Sequence, residues 1–163
     1  MIRLFLVDDH AVVREGLRLL LEPEPDITIV GEAANGQELL DQLPTTPTNV
    51  VLLDINMPVL GGVATAERLR ADYPAIRILM LSMMEEPLNV QQALAAGAHG
   101  YLLKNAAKDE VLAGLRTVLA GRRFLGSELG LTLLDQVMHP PVASPAVPVG
   151  GSCRAASVRY CSW

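Results

Sequence analysis

Three aspartates, a serine and a lysine stand where apolar runs of this chain stop. Residues 2–7 are largely apolar and end at Asp8 and Asp9. Residues 50–53 end at Asp54, residues 76–81 at Ser82, and residues 101–103 at Lys104. A fifth run, residues 27–30, stops at Gly31 and Glu32. Gathered in one place, these ends would hold three carboxylates, a hydroxyl and an ammonium, which suits a divalent cation and a phosphoryl group. At an effective dielectric of about 20, two carboxylates roughly 4 Å apart repel by on the order of 4 kcal/mol. A bound Mg²⁺ relieves that repulsion, because it takes one or two carboxylates and shares phosphoryl oxygens. Singly, each residue has an ordinary use. Asp8 or Asp9 would cap a helix starting near Ala11, Ser82 would close a turn, and Lys104 would sit in solvent. Their shared position carries the chemical reading.

A parallel sheet would bring the ends together. Its strands are buried on both faces and read as near-continuous apolar runs, and ligands bind at their carboxyl ends. Helical periods fill the gaps. Residues 11–22 place Val13, Leu17, Leu20 and Leu21 on one face and stop at Pro23. Residues 37–43 stop at Pro44, and residues 63–73 follow Gly61-Gly62 and stop at Pro74. Residues 87–96 begin with Pro87 and end at Gly97, the usual order of those two residues around a helix. Residues 109–120 carry Val111, Leu112, Leu115, Val118 and Leu119. Five alternations of strand and helix predict an α/β layer fold with a five-stranded, mostly parallel sheet and right-handed crossovers.

Composition narrows the function. The chain has 163 residues, half of them apolar, and a net charge of −5. That balance argues against binding nucleic-acid phosphates nonspecifically, which needs clustered Lys and Arg. No apolar run reaches the length of a membrane span, and Met1 leads straight into a strand, leaving no room for a signal peptide. Cys153 and Cys161 alone make neither a disulfide framework nor a zinc pattern, so a cytoplasmic setting is expected.

The motifs Asp8-Asp9-His10, Leu53-Asp54-Ile55-Asn56-Met57-Pro58 with Gly61, Leu81-Ser82, and Tyr101-Leu102-Leu103-Lys104 together resemble the signature of response-regulator receiver domains. Val13-Arg14-Glu15-Gly16-Leu17 and Gly97-Ala98-His99-Gly100-Tyr101 resemble the LuxR/NarL-type subgroup. The resemblance covers roughly residues 1–134. It implies a doubly wound, flavodoxin-like receiver fold and a regulatory phosphoacceptor rather than an enzyme, with self-catalysed phosphotransfer and dephosphorylation. It implies phosphorylation of Asp54 by a sensor histidine kinase. Mg²⁺ would be held by Asp8, Asp9, Asp54 and the backbone carbonyl of Asn56. Ser82 and Lys104 would contact the phosphoryl group, and Ser82 with Tyr101 would form the switch. The face spanning residues 87–120 would change on phosphorylation, pass on the signal and serve a possible homodimer.

There are departures from the pattern. Asn105 stands where family members often have Pro, which leaves the Lys104–Asn105 isomer open. Met84 occupies a position that tunes dephosphorylation, and an apolar residue there cannot orient an attacking water. The expected organisation is a receiver over residues 1–125, a short linker helix over 126–138, and a Pro/Gly-rich linker and tail over 139–163. The subgroup's DNA-binding output is not expected in this chain, so specific DNA binding is not expected either. Residues 153–163, back-translated with GC-rich codons and read one base earlier, can yield a sequence resembling the opening of a LuxR-type output helix. A frameshift is therefore a candidate cause of the odd tail.

Three alternatives use other chemistry. An Asp-nucleophile phosphatase of the haloacid-dehalogenase type needs Asp-x-Asp on the first strand, whereas this chain has Asp54-Ile55-Asn56 on the third and no cap domain. A phosphorylation-independent interaction module would not need Asp9, Asp54, Ser82 and Lys104 together. A nucleotide site would need a Gly-x4-Gly-Lys-Ser/Thr loop, which does not occur.

Overall fold

The computed structural model describes residues 1–83 and 87–139. Met84 and the Pro/Gly-rich segment and tail from residue 140 onward lie outside the described residues. The elements are β1 (Ile2–Val7), α1 (Ala11–Leu21), β2 (Ile27–Ala33), α2 (Gly36–Gln42), a 3-10 turn (Leu43–Thr45) and β3 (Val50–Asp54). They continue with α3 (Gly62–Asp72), β4 (Arg77–Ser82), α4 (Pro87–Ala95), β5 (Gly100–Leu103), α5 (Lys108–Leu119), β6 (Phe124–Leu125) and α6 (Ser127–Met138). The strands form one parallel sheet in the order β2-β1-β3-β4-β5-β6.

The central strands are largely apolar because both of their faces are covered, with Arg3 and Arg77 near the starts of β1 and β4 as charged exceptions. Leu4, Leu6, Val50, Leu52, Leu79, Leu81 and Leu102 pack with Val111, Leu112, Leu115 and Val118 of α5 in one buried cluster. Burying such a side chain contributes roughly 1.5–3 kcal/mol, so the core fixes which strand ends meet. The chain winds from β1 outward to β2, then returns past β1 to β3. The end of β1 and the end of β3 therefore flank the point where the winding reverses, which is where such sheets form a crevice.

Two details differ from the sequence reading. β2 runs on to Ala33 rather than stopping at residue 30. The register with β1 slips between Leu4 and Phe5, so that Phe5 pairs with Gly31, and a Cβ on Gly31 would stand 2.5 Å from the Phe5 ring. Gly31 is thus a close-packed strand residue and not a stop. The sheet also has six strands, not five. Phe124 and Leu125 pair with Gly100 and Tyr101, a segment too short to show a two-residue period, and they cover what would have been the β5 edge.

Helix ends follow local chemistry. Asn35 accepts from the Glu38 amide at the start of α2, and Glu38 accepts in return from the Ala34 amide. Past α4, Gly97 adopts φ 114°, a left-handed conformation that costs glycine little. Ser127 begins α6 by donating from both its amide and its hydroxyl to Glu110 of α5. The chain divides into two compact units, Met1–Gly130 and Leu131–Trp163. The described part of the second is the remainder of α6, with Leu131, Leu134, Val137 and Met138 exposed. No described helix is long and apolar enough to cross a membrane.

Candidate functional site

Register puts the candidate residues at one end of the sheet. Val7 of β1 pairs with Leu53 of β3, so Asp8 and Asp54 emerge side by side. Asp54 pairs with Leu81 of β4, and Ser82 with Leu103 of β5. The Lys104 amide donates to the Ser82 carbonyl at 2.8 Å, which extends the ladder to Lys104.

The side chains meet as the strand ends suggest. Asp8 and Asp54 are buried, at 1% and 3% exposure. The Lys104 ammonium lies 2.8 Å from Asp8 Oδ2 and 3.2 Å from Asp54 Oδ2. Burial, followed by the charge of Asp8, pushes the Asp54 carboxyl above its ordinary pKa, while Lys104 and the Asn56 amide pull the other way. Burial alone would lower the Lys104 ammonium, but hydrogen bonding and charge from Asp8 and Asp54 outweigh it and raise its pKa. Two like charges on neighbouring strand ends thus share one cation.

Asp9 is more exposed and joins through His10, whose Nδ1 lies 3.0 Å from Asp9 Oδ1 and 3.2 Å from Asp8 Oδ1. The His10 amide also donates to Asp8 Oδ1 at 2.8 Å. Asp8, Asp9, His10 and Asp54 each offer one ligand atom, all within 4.8 Å of one another. Asp8 Oδ2 is buried, and its partner is the Lys104 ammonium at 2.8 Å. Such a donor set, rich in carboxylate oxygen, fits a hard divalent cation.

The remaining candidates divide. Ser82 is buried at the end of β4, and Asn56 is exposed just beyond Asp54. Tyr101 is elsewhere, wholly buried within β5 and paired with Met80, so it already occupies an inward position. No cis peptide occurs among the described residues, so Lys104–Asn105 is trans. Three contributors had no role in the sequence reading. His10 sits against two carboxylates, Arg14 donates to the Asp8 carbonyl, and Gly62 lets α3 approach the strand end. A Cβ on Gly62 would overlap the Asp54 carbonyl oxygen and stand 2.7 Å from Ile55 Cα. Only the Gly61-Gly62 pair itself hinted at this.

Comparison with known proteins gives concordant matches. Residues 4–116 match the family of the response regulator receiver domain. The chain is 36% identical over 146 residues to response regulator UvrY of Escherichia coli (strain K12), covering 89% of this chain and 67% of that protein. It is 36% identical over 126 residues to the nitrate/nitrite response regulator protein NarL of the same organism, covering 77% of this chain and 58% of the relative. A crystal structure of a LuxR-family two-component response regulator from Aurantimonas sp. SI85-9A1 superposes with a TM-score of 0.79 at 32% identity, covering 83% of this chain and 97% of that one.

Proposed function

The chain belongs to the response regulator receiver family, and within that membership we propose that Asp54 is its phosphoacceptor. Response regulators are regulatory proteins phosphorylated by sensor histidine kinases, and their receiver domains bind Mg²⁺ through an acidic pocket. In the proposed step an Asp54 carboxylate oxygen attacks the phosphorus of a phosphohistidine on the kinase. The O–P bond forms, the P–N bond breaks, and the departing imidazole nitrogen keeps the electron pair and takes a proton. Asp8, Asp9, Asp54 and the Asn56 carbonyl would hold Mg²⁺, which when bound supplies positive charge beside the phosphoryl oxygens. Lys104 would exchange part of its pairing with Asp8 and Asp54 for the phosphoryl group, and Ser82 would donate to it.

The observation that supports this reading best is the Lys104 ammonium between Asp8 and Asp54 at the switch point of the sheet. Phosphoryl transfer depends mainly on positioning and charge neutralisation, and this arrangement provides both. Tyr101 is already inward, so a phosphoryl group would hold it there rather than draw it in. The output would run through the face spanning residues 87–120, with the receiver at 1–125 and 126–138 as the connecting helix toward transcriptional output. The test is intact mass after incubation with acetyl phosphate and Mg²⁺. Wild type should gain one phosphoryl group and Asp54→Asn none; a mutant that gains it at the wild-type rate assigns the acceptor elsewhere.

A further inference from the structure

The other end of the sheet carries a basic hollow that the phosphoacceptor chemistry does not use. A cavity of about 210 Å³ is lined by Arg70 at the end of α3, Leu94 and Gly97 around the end of α4, His99 before β5 and Arg123 before β6. No carboxylate lines it; Asp72 faces the neighbouring hollow with Pro74 and Ile76 instead. Among the described residues, the arginines paired with carboxylates are Arg14, Arg18 and Arg116. Arg70 instead donates to the Ala95 carbonyl at 2.8 Å, leaving other guanidinium donors free. In a chain of net charge −5, this is a local reversal of sign.

The imidazole of His99 makes the deficit specific. The Ile78 amide donates to His99 Nδ1 at 3.1 Å. An amide N–H can only donate, so Nδ1 carries no proton and the neutral ring bears its hydrogen on Nε2. Yet the group beside Nε2, at 3.3 Å, is Arg77 Nη1, which also only donates. Two donors thus face each other without an acceptor. Burial, then the charges of Arg77 and Arg123, lower the His99 pKa, as expected beside cations that lack a counter-ion.

We propose that this hollow binds a small doubly charged oxyanion, inorganic phosphate or a phosphomonoester, through Arg70, Arg123 and the His99 Nε2–H, with Arg77 adding charge behind the ring. An anion oxygen set beside the pair, accepting from both His99 Nε2 and Arg77 Nη1, supplies the missing acceptor, and its charge offsets the guanidinium cluster. Arginine forks suit such oxyanions. The site is distinct from the acidic pocket. His99 and Lys104 lie five residues apart along one strand, roughly 16 Å at strand rise.

The test is NMR titration of the His99 Cε1–H resonance of the full chain, without divalent cations, with sodium phosphate against sodium chloride of equal ionic strength. Phosphate should move the resonance saturably and raise the His99 titration midpoint. Arg123→Ala should weaken binding about tenfold, and Arg123→Glu should abolish it. Arg68→Ala, whose side chain does not line the cavity, should leave it unchanged. Arg123 is exposed, so both of its variants should fold, and calorimetric titration of His99→Gln should independently show weaker phosphate binding. A second arm with glycerol 3-phosphate separates the sources: tighter binding than phosphate marks an ester, weaker binding the free ion. A drift identical in chloride, or equal weakening by Arg68→Ala and Arg123→Ala, overturns the proposal.

Discussion

The Lys104 ammonium lies 2.8 Å from Asp8 and 3.2 Å from Asp54, so one cation serves two buried carboxylates. It reaches them across β4, since the sheet order places β4 between β3 and β5. Removing one member of a buried ion set costs about 3–5 kcal/mol, because the remaining charge is left uncompensated. Lys104→Met should therefore destabilise the chain by about 3 kcal/mol near neutral pH. Without the ammonium, which pulls the Asp54 carboxyl down, burial and the charge of Asp8 raise it further, so the loss should grow with pH as Asp54 ionises. Urea unfolding at pH 5 and pH 8 checks this, and an equal loss at both values would contradict it.

Asp54 has the opposite sign. Its folded pKa lies above the unfolded value of 3.8, through burial first and then Asp8. The folded state therefore binds the proton more tightly, and stability is lost as pH rises from the unfolded value through the folded one. Asp54→Asn removes that cost. It should be more stable than wild type at pH 7.5 by about 1 kcal/mol, or roughly 4 °C in Tm. The advantage should shrink as pH falls toward 4. Added Mg²⁺ should narrow it as well, by neutralising the wild-type cluster. An Asp54→Asn protein less stable than wild type at pH 7.5 would remove this account.

Much of this was legible in the sequence for one reason. A strand buried on both faces must be apolar from end to end, so its last polar residue marks its carboxyl terminus. Asp8, Asp54, Ser82 and Lys104 could be placed that way before any geometry. What was hidden depends on packing between distant segments. The two-residue β6 has no period to read, and its presence makes β5 an interior strand with Tyr101 wholly buried. Gly31 looks like a stop until Phe5 is seen lying over it. Thr65, buried at 0%, is satisfied by donating to the Gly61 carbonyl within its own helix start. His10 is a motif letter in the sequence, and only the turn after β1 brings its ring against Asp8 and Asp9.

His99 should make the fold acid-sensitive. Its folded pKa lies below the unfolded 6.5, owing to burial and then to Arg77 and Arg123. Its contribution is therefore present above pH 6.5 and is lost as pH falls through the folded value. Protonation would also place a hydrogen on Nδ1, where the Ile78 amide donates. Between pH 7.5 and 5, wild type should lose stability relative to His99→Gln, which has no group titrating there. The check is the difference in unfolding free energy between the two proteins across that range, and a constant difference would refute it.

Gly62 tests whether the position of Asp54, the proposed phosphoacceptor, is set by the start of α3. The Gly62 amide donates to the Ile55 carbonyl at 2.8 Å, which draws the helix onto the strand end. A Cβ there would overlap the Asp54 carbonyl oxygen and crowd Ile55 Cα at 2.7 Å. Both obstacles are backbone, so no rotamer change relieves them, and either α3 or Asp54 must move. Overpacking of this kind costs about 1–3 kcal/mol, which a folded domain of this size tolerates. A displacement of about 1 Å at a reacting group can cost on the order of 100-fold in rate. Gly62→Ala should therefore remain folded yet take phosphate from acetyl phosphate at least about tenfold more slowly. Gly16→Ala is the control, because a Cβ at that position on α1 meets nothing within 4 Å. It should leave the rate unchanged and stabilise the helix by about 0.5–1 kcal/mol. The rates are read by intact mass at a temperature where circular dichroism shows all three proteins folded. A wild-type rate in folded Gly62→Ala would show that Asp54 keeps its place without the close approach of α3.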